Sequence, residues 1–407
     1  MFFGEKRITP QKEDCCGCSA CVHVCKKQAL TMVSDVEGFL YPMLNSDKCV
    51  ECGACEKVCP MVNGAKSKNG HPLKILAAQL KDMALLQQSS SGGVFSAIAI
   101  EVIRRLGVVY GASFNSKQKL SHIRIDTIEG LNKLRGSKYL QSNLSDCFYD
   151  VKKDLKEGKL VYFVGTPCQV AGLKLFLRQD FNTLLTSDIV CHGTPSQKVF
   201  DCVITQIELT NKGIVQRYSF RDKSVMGWNC ASSSSLIHNL QNGTMKNLTY
   251  SASMRAYFKA FIGGHLMRFS CYKCPFATEQ RCSDITLADF WGLPRQHFKN
   301  FKVLKGVSLV MINTIKGKNF WDAITKNLVV QEEKFENASK TNRNLLHPSK
   351  RGDHRDIAYQ LAFSNFNKFE NLFLGDRPQL DHIKFIFFRF MRRSIIYKIY
   401  KFIYSFI

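Results

Sequence analysis

The stretch DCCGCSACVHVC, residues 14–25, places five cysteines within twelve residues. A second stretch, CVECGACEKVCP at residues 49–60, carries four cysteines in the spacing C-x2-C-x2-C-x3-C-P. The first stretch fits the same spacing in one register, which uses Cys15, Cys18, Cys21 and Cys25. Cys16 is left outside this repeated pattern.

The repeated spacing predicts two [4Fe-4S] clusters, because three thiolates on one tight loop reach three irons of a cube and the fourth cysteine binds the neighbouring cube. We expect the first cluster on Cys15, Cys18, Cys21 and Cys59. We expect the second cluster on Cys49, Cys52, Cys55 and Cys25. Structural zinc and disulfide bonds are the alternatives, and neither accounts for a three-cysteine loop that occurs twice.

The segment between the two cysteine stretches has the pattern of a β-hairpin. Apolar residues 29–33 and 39–44 flank the turn sequence DVEG. The hairpin and its two loops resemble the bacterial two-cluster ferredoxin module, so we assign residues 1–62 to this domain and residues 63–73 to a linker. Lys26 departs from that family, which often has proline after the fourth cysteine.

At 407 residues, the chain is long enough for more than one domain. Its 17 cysteines indicate a reducing compartment, and the first residues do not resemble a signal peptide, so we expect a cytoplasmic protein. The formal net charge of +24 favours an anionic substrate, protein partner or lipid surface. No nucleic-acid-binding motif is recognised, and we expect no nucleic-acid partner.

The chain beyond residue 74 alternates strand-like and helix-like segments. Apolar strands are predicted at residues 75–80, 108–114, 160–165 and 184–191, and helices at 94–107, 146–156 and 170–178. The expected fold class is therefore an α+β ferredoxin-like two-cluster module followed by an α/β domain.

Loops that lead into two of these helices carry residues suited to binding or redox chemistry. The sequence SSSGG at residues 89–93 offers hydroxyl groups and unblocked amides to an anion, although an ordinary serine cap has the same pattern. Cys168 lies near a helix N-terminus, where a thiolate is stabilised. Cys191, Cys271 and Cys274 are candidates to join it in a further cluster site, and buried structural thiols are the alternative.

Several stretches together resemble the beta subunits of coenzyme F420 hydrogenases and dehydrogenases. In chain order they are SSSGGVFSAIA (89–99), RGSKYLQS (135–142), GTPCQVAGL (165–173), CHG (191–193), CYKCPF (271–276) and SDITLADFWG (283–292). The resemblance implies a flavin-binding and iron-sulfur-binding region over residues 74–335, with parts 74–150 and 151–335. It also implies the type of member found at bacterial surface-polysaccharide loci.

Members of this family carry FAD beside an iron-sulfur cluster. The resemblance implies that FAD lies along the loop residues Ser90, Ser91, Gly92, Gly93, Ser137, Lys138 and Gln141. It also implies a third [4Fe-4S] cluster on Cys168, Cys191, Cys271 and Cys274. Cys282 ranks below these four because the corresponding position varies in the family.

The expected activity is that of an FAD-dependent iron-sulfur oxidoreductase. Electrons from a redox partner protein or ferredoxin pass through the clusters to FAD and then to a small organic acceptor, in a role in surface polysaccharide biosynthesis. The alternatives are a non-catalytic electron-transfer subunit, a coenzyme F420 reductase subunit, and a regulatory sensor with Cys16 and Cys147 as exposed thiols.

Residues 336–407 are predicted to form a basic, aromatic C-terminal tail. Its last part, IKFIFFRFMRRSIIYKIYKFIYSFI (383–407), has no acidic residue, and its apolar runs are interrupted by Lys384, Arg389, Arg392, Arg393, Lys398 and Lys401. A membrane-spanning helix takes about 20 predominantly apolar residues, so these charges exclude one. A core-docked helix and a partner-binding segment are alternatives to the favoured interpretation, a peripheral anchor at the inner face of the membrane.

We expect the full chain to sediment with anionic phospholipid vesicles at low salt, because each basic residue near such a surface contributes about 1 kcal/mol. Truncation after Asp381 should leave the protein in the supernatant, and high salt should release the full chain. Vesicles of neutral phosphatidylcholine serve as the control in the same assay. Equal recovery of both proteins in the supernatant would contradict a membrane role for this tail.

Overall fold

The computed structural model describes residues 10–64, 68–228 and 233–375. The predicted peripheral anchor at residues 383–407 lies outside these ranges. Within the described ranges, no helix is both long and apolar enough to cross a membrane.

The N-terminal module is ferredoxin-like and consists of one hairpin, the two cysteine loops and short helices. Its elements are α1 (Ala20–Val24), β1 (Leu30–Ser34), β2 (Leu40–Leu44), α2 (Ala54–Lys57) and α3 (Pro60–Asn63). The strands pair antiparallel, with Leu30 opposite Leu44, which confirms the predicted hairpin. Phe39 and Tyr41 turn their rings into the core of the second region, where both are 1% exposed.

The second region holds the remaining strands and helices. Its first half contains β3 (Lys74–Leu80), α4 (Met83–Gln88), α5 (Val94–Arg104), β4 (Val108–Phe114), β5 (Leu120–Ile125), α6 (Leu131–Leu134), α7 (Cys147–Lys156), β6 (Val161–Gly165), α8 (Pro167–Leu177) and β7 (Leu184–Ile189). Apolar periodicity predicts seven of these ten elements, with bounds that agree within three residues, and it does not predict α4, β5 or α6.

The second half begins with α9 (Gln197–Asn211) and ends with a pair of helices. Its elements are β8 (Gly213–Ser219), α10 (Lys223–Met226), β9 (Ser234–Asn239), β10 (Met245–Thr249), α11 (Ala252–Ile262), β11 (Ile285–Asp289), β12 (Ser308–Ile312), α12 (Ile315–Ile324), β13 (Leu328–Glu332), α13 (Phe335–Ser339), α14 (Arg355–Ser364) and α15 (Phe366–Leu374).

A large mixed sheet organises the second region. Its strand order is β13-β3-β12-β11-β7-β6-β4-β5, and a separate three-stranded sheet has the order β10-β9-β8. The pairs β11–β7, β7–β6 and β6–β4 are parallel, whereas the outer pairs of the large sheet are antiparallel. The carboxyl ends of four parallel strands therefore meet at one edge, the place where open α/β sheets bind ligands.

The helices after residue 336 are packed parts of the fold rather than an extended segment. Tyr359 on α14 and Phe369 on α15 belong to the same buried cluster as residues of α9 and α11. The described residues of the predicted tail, up to residue 375, thus pack on the side of the second region that holds the three-stranded sheet.

The hairpin turn of the N-terminal module is fastened to the second region. The guanidinium of Arg355 donates two hydrogen bonds to the Glu37 carboxylate, at 2.7 and 2.6 Å. The Ser196 hydroxyl donates to the Glu37 carbonyl at 2.6 Å, and the Lys198 ammonium donates to the Val36 carbonyl at 2.9 Å. Because Arg355 is fully buried, these bonds fix the orientation of the module.

Helix α8 carries residues of both the module interface and the carboxyl edge of the sheet. It begins with a capping box between Thr166 and Gln169, with Pro167 in the first turn. Its glycine, Gly172, faces the first cysteine loop: a Cβ there would lie 3.0 Å from the Cys18 sulfur. Helix α8 therefore holds Cys168 and the first cysteine loop at a fixed separation.

Candidate functional site

A large cavity lies at the carboxyl edge of the parallel strands. It has a volume of about 760 Å³, which is within the range of cofactor and ligand sites. Cys168 at the start of α8, Cys191 just after β7 and Asp289 at the end of β11 contribute to its wall. The α5 N-terminus and the 135–142 loop form another side.

Six of the seven residues predicted along FAD line this cavity, namely Ser90, Ser91, Gly93, Ser137, Lys138 and Gln141. The Ser90 hydroxyl accepts a hydrogen bond from the Ser137 backbone N–H at 2.7 Å, which joins the two loops. Gly92 lies behind the wall, where a Cβ would meet the Ala78 carbonyl at 2.2 Å. Gly92 thus serves the close packing of its loop on β3 rather than the cavity surface.

Arg135 places an unsatisfied donor beside this cavity. Its Nε donates to the Ser96 hydroxyl at 3.1 Å and one Nη donates to Gln88 at 2.8 Å. The other, Nη2, is buried without an acceptor. Burial lowers the pKa of Arg135, so an anion in the cavity would stabilise its charge. Sequence analysis missed Arg135 as a site residue, although it opens the RGSKYLQS stretch.

Lys138 is a cavity residue whose ammonium points to the main chain. It donates to the carbonyls of Leu134, Arg135 and Gly136 at 2.9, 3.0 and 3.0 Å. Burial lowers the pKa of Lys138 to about 7, while the three carbonyl acceptors favour its charged form. Its main effect is to shape the loop that faces the α5 N-terminus.

Two tryptophans form an aromatic pair at the part of the cavity wall that follows β11. The rings of Trp228 and Trp291 stack with centroids 4.3 Å apart. The Asp289 carboxylate accepts a hydrogen bond from the Trp228 indole N–H at 2.7 Å and also pairs with Arg221. Trp291 is 41% exposed, so this end of the cavity presents an aromatic surface to solvent.

The four cysteines predicted to hold a third cluster line the same cavity. Burial raises the pKa of the Cys191 thiol, and so do the charges of Cys271, Cys168 and Cys274. The Thr166 hydroxyl lies 3.2 Å from the Cys168 sulfur. Four free, partly buried thiols that line one cavity and act electrostatically on one another form a donor set that fits an iron-sulfur cluster.

The N-terminal cysteines are grouped by residues that are distant in the sequence. Burial raises the pKa of Cys21, and the charges of Cys15, Cys59 and Cys55 add to this effect. Burial also raises the pKa of Cys55, followed by the charges of Cys52 and Cys25. Cys59 thus approaches the first loop and Cys25 the second, as the crossed ligand sets require.

Cys16 lies between that first group and the cavity. Its thiol is hydrogen-bonded with Cys168 and with Cys18, and the residue lines the cavity. The hydrogen bond with Cys168 lowers the pKa of Cys16, but the bond with Cys18 and burial raise it, and the net shift is upward. Cys16 therefore lies between a candidate ligand of the first cluster and a candidate ligand of the third.

The remaining cysteines within the described residues, Cys147, Cys202 and Cys282, do not line the cavity. Cys282 donates to the Pro167 carbonyl at 3.2 Å, behind the start of α8 and outside the cavity wall. The sensor hypothesis requires exposed thiols at Cys147 and Cys16, yet these residues are 5% and 8% exposed. Burial raises the pKa of Cys147, so it lacks the accessible thiolate that a sensor requires.

Zinc and a cubic cluster differ in the sulfur separations that they require. Zinc holds four sulfur ligands about 2.3 Å from one ion, whereas each thiolate of a cubic cluster binds a different iron. Among the described residues, no group of three or more His, Cys, Asp or Glu side chains is close enough to hold a single metal ion.

Two stretches match known families. Residues 14–63 match the 4Fe-4S dicluster domain, and residues 158–338 match the C-terminal family of the coenzyme F420 hydrogenase/dehydrogenase beta subunit. One subunit of the F(420)H(2) dehydrogenase of Methanosarcina mazei is 24% identical over 223 residues, which cover 52% of this chain. The aligned part spans 62% of that relative.

A solved structure, the F420-reducing [NiFe] hydrogenase complex from Methanosarcina barkeri, contains a chain that aligns with 75% of this one and 92% of its own length. The sequence identity is 16% and the TM-score is 0.41.

The grouping of the N-terminal thiols predicts different outcomes for two neighbouring cysteines. Cys18→Ser should lower the iron content by about four per chain, because Cys18 belongs to the predicted first ligand set. Cys16→Ser should retain iron, because Cys16 lies outside the ligand set. Iron and acid-labile sulfide per chain are measured after anaerobic purification. Equal losses in the two variants would refute this assignment.

Cys168→Ser should remove about four iron atoms per chain, because it breaks the third ligand set. Cys282→Ser is the matched control, since this buried thiol is close to the start of α8 but faces away from the cavity. A nucleophilic role for Cys168 predicts the opposite pattern, with iron unchanged and turnover lost. Full iron in Cys168→Ser would overturn the third cluster.

Proposed function

Because this chain is a homologue of the beta subunits of coenzyme F420 hydrogenases and dehydrogenases with a 4Fe-4S dicluster domain at its N-terminal end, we propose that it is an FAD-dependent iron-sulfur oxidoreductase. In this proposal, electrons from a redox partner protein or ferredoxin pass along three [4Fe-4S] clusters to FAD and then to an organic acceptor. One observation carries it: the thiols of the third set and the loops assigned to FAD share a single cavity wall.

The exposure of the cysteines supports a path from the surface to the cavity. Cys52 in the second set is exposed, whereas Cys15, Cys18 and Cys59 in the first set are buried. The first set then adjoins Cys168 through Cys16. A partner protein can therefore approach the second cluster closely, while the cavity lies at the other end of the path.

The α5 N-terminus and Arg135 are suited to the diphosphate of FAD. The first N–H groups of a helix lack intrahelical acceptors, and the helix dipole favours an anion there. The buried Nη2 of Arg135 supplies a further donor at the same side of the cavity. When bound, FAD supplies the conversion between one-electron and two-electron transfer, and the protein supplies its position and electrostatic environment.

The exposed end of the cavity is our proposed entrance for the acceptor. The stacked Trp228 and Trp291 rings offer a flat apolar surface there. Asp289 holds the Trp228 ring by accepting its indole N–H and also pairs with Arg221. The proposed acceptor is a small organic molecule, and the proposed setting of the reaction is surface polysaccharide biosynthesis. That biosynthetic setting rests on the sequence resemblance alone.

A second candidate function is favoured by the name of the Methanosarcina mazei relative, which is a subunit of a dehydrogenase. In that case the chain passes electrons to a partner protein without converting a substrate of its own. The two functions differ in flavin content, because a pure electron-transfer subunit needs no FAD in the cavity.

We expect the anaerobically purified protein to contain FAD, and Arg135→Met to bind it about 10- to 100-fold more weakly. A hydrogen bond to a charged group contributes about 1.5–3 kcal/mol, which sets this range. Flavin released by acid is measured per chain, and affinity is measured by fluorescence titration of the deflavinated protein.

Arg105→Met is the matched control for this experiment. Arg105 is paired with Glu101 on the solvent side of α5, so its loss should leave flavin affinity unchanged. The iron content of both variants should equal that of the unsubstituted protein. Absence of FAD from the unsubstituted protein would contradict the enzymatic proposal and favour the electron-transfer subunit.

A further inference from the structure

Arg268 is a buried cation at the boundary between the N-terminal module and the cavity. Its side chain follows α11 in the sequence and is 1% exposed. Its Nε donates to the Cys15 carbonyl at 2.5 Å, and one Nη donates to the Leu40 carbonyl at 2.9 Å. The other Nη donates to the Gln141 side-chain oxygen at 3.1 Å, and the guanidinium lies 3.9 Å from the Tyr41 ring centroid.

The acceptors of Arg268 are neutral, which distinguishes it from other buried arginines of this protein. Arg221, Arg281 and Arg355 each pair with a carboxylate, of Asp289, Asp188 and Glu37. Among the described residues, no aspartate or glutamate forms an ion pair with Arg268. A buried charge without an opposite charge costs several kcal/mol, so this position calls for an anion.

Cysteines of two different ligand sets adjoin Arg268. Its Nε donates to the Cys15 carbonyl, and its own carbonyl accepts a hydrogen bond from the Cys271 backbone N–H at 2.9 Å. Burial lowers the pKa of Arg268, but the charges of Cys15, Tyr41, Cys16 and Cys271 raise it, and the net shift is upward. Cys15 belongs to the first set and Cys271 to the third. The Arg268 charge also lowers the pKa of Cys168, although the hydrogen bond with Cys16 and burial raise it more.

We propose that Arg268 is a positioning residue that acts as the shared counter-cation of the first and third clusters and raises the reduction potentials of both. Four thiolates around an oxidised four-iron core leave a net charge of about −2, and one added electron makes it about −3. A nearby fixed cation stabilises the more negative state more strongly. The part of this inference that concerns the third cluster rests on the proposed function, whereas the part that concerns the first cluster does not.

The test is an anaerobic redox titration of the full chain with dithionite, followed by the electron paramagnetic resonance signals of the reduced clusters. We expect Arg268→Gln to reduce the equilibrium constant for reduction at least tenfold at two clusters, which corresponds to about 59 mV more negative for one electron. The cluster on Cys25, Cys49, Cys52 and Cys55 should keep its potential. Arg268→Lys retains the charge and should restore most of the shift.

A second variant addresses the charge without changing Arg268. Gln141→Glu converts the neutral acceptor of Arg268 into a carboxylate of the same shape, so the same two potentials should fall. The control is the double variant Glu37→Gln with Arg355→Gln, which removes a paired charge from the same interface. Its potentials should stay at the values of the unsubstituted protein.

The outcomes separate this inference from the proposed function. If the unsubstituted protein contains iron for only two clusters, the third cluster is disproved. The reduction potential of the first cluster alone would then test the role of Arg268. Unchanged potentials in both Arg268→Gln and Gln141→Glu would overturn the inference. An equal shift in Arg268→Lys and Arg268→Gln would also overturn it, because shape rather than charge would then be responsible.

Discussion

The close contact between α8 and the first cysteine loop is the constraint on which the arrangement of the site depends. A Cβ at Gly172 would lie 3.0 Å from the Cys18 sulfur, so a larger residue would push the loop away. Glycine within a helix costs about 1 kcal/mol relative to alanine, and this contact explains its presence. Because Cys168 occupies the first turn of α8, one rigid helix sets the distance from the first loop to the cavity. The bonds of Glu37 with Arg355 then hold the far side of the module in the matching orientation.

The interior of this protein contains charges and potential charges that its side chains do not balance. Arg135 has a buried donor without an acceptor, and Arg268 is buried among neutral acceptors. The grouped thiols would carry unbalanced negative charge if they ionised, since the charge of each one raises the pKa of its neighbours. Metal ions would remove the second cost by binding the thiolates, and anionic groups at these positions would offset the first. Folding and cofactor binding would then be coupled, since ligands that bind only the native state stabilise it.

Cysteine spacing predicts the grouping in the N-terminal module, because ligands on short loops have few geometric choices. Apolar periodicity likewise predicts most strands and helices up to β7. The insertion of β3 between β12 and β13 depends on pairing between residues more than two hundred positions apart, which local patterns do not encode. Gly92 and Gly93 look equivalent in the sequence, yet only Gly93 borders the cavity. Sequence patterns do not reveal Arg268 and Trp228, because their importance arises from burial and stacking partners that come from other segments.

The burial of the cysteine groups also bears on the cation at the module boundary. The second ligand set includes exposed Cys52, whereas Cys15, Cys18 and Cys59 of the first set are buried and the third set is partly buried. Loss of solvent disfavours the more negatively charged state of a cluster and so lowers its reduction potential. In the proposed path, an electron that moves inward would therefore meet rising free energy unless the protein supplies positive charge. Arg268 lies beside the first set, and the neutral acceptors around it leave its charge available to the groups on both sides.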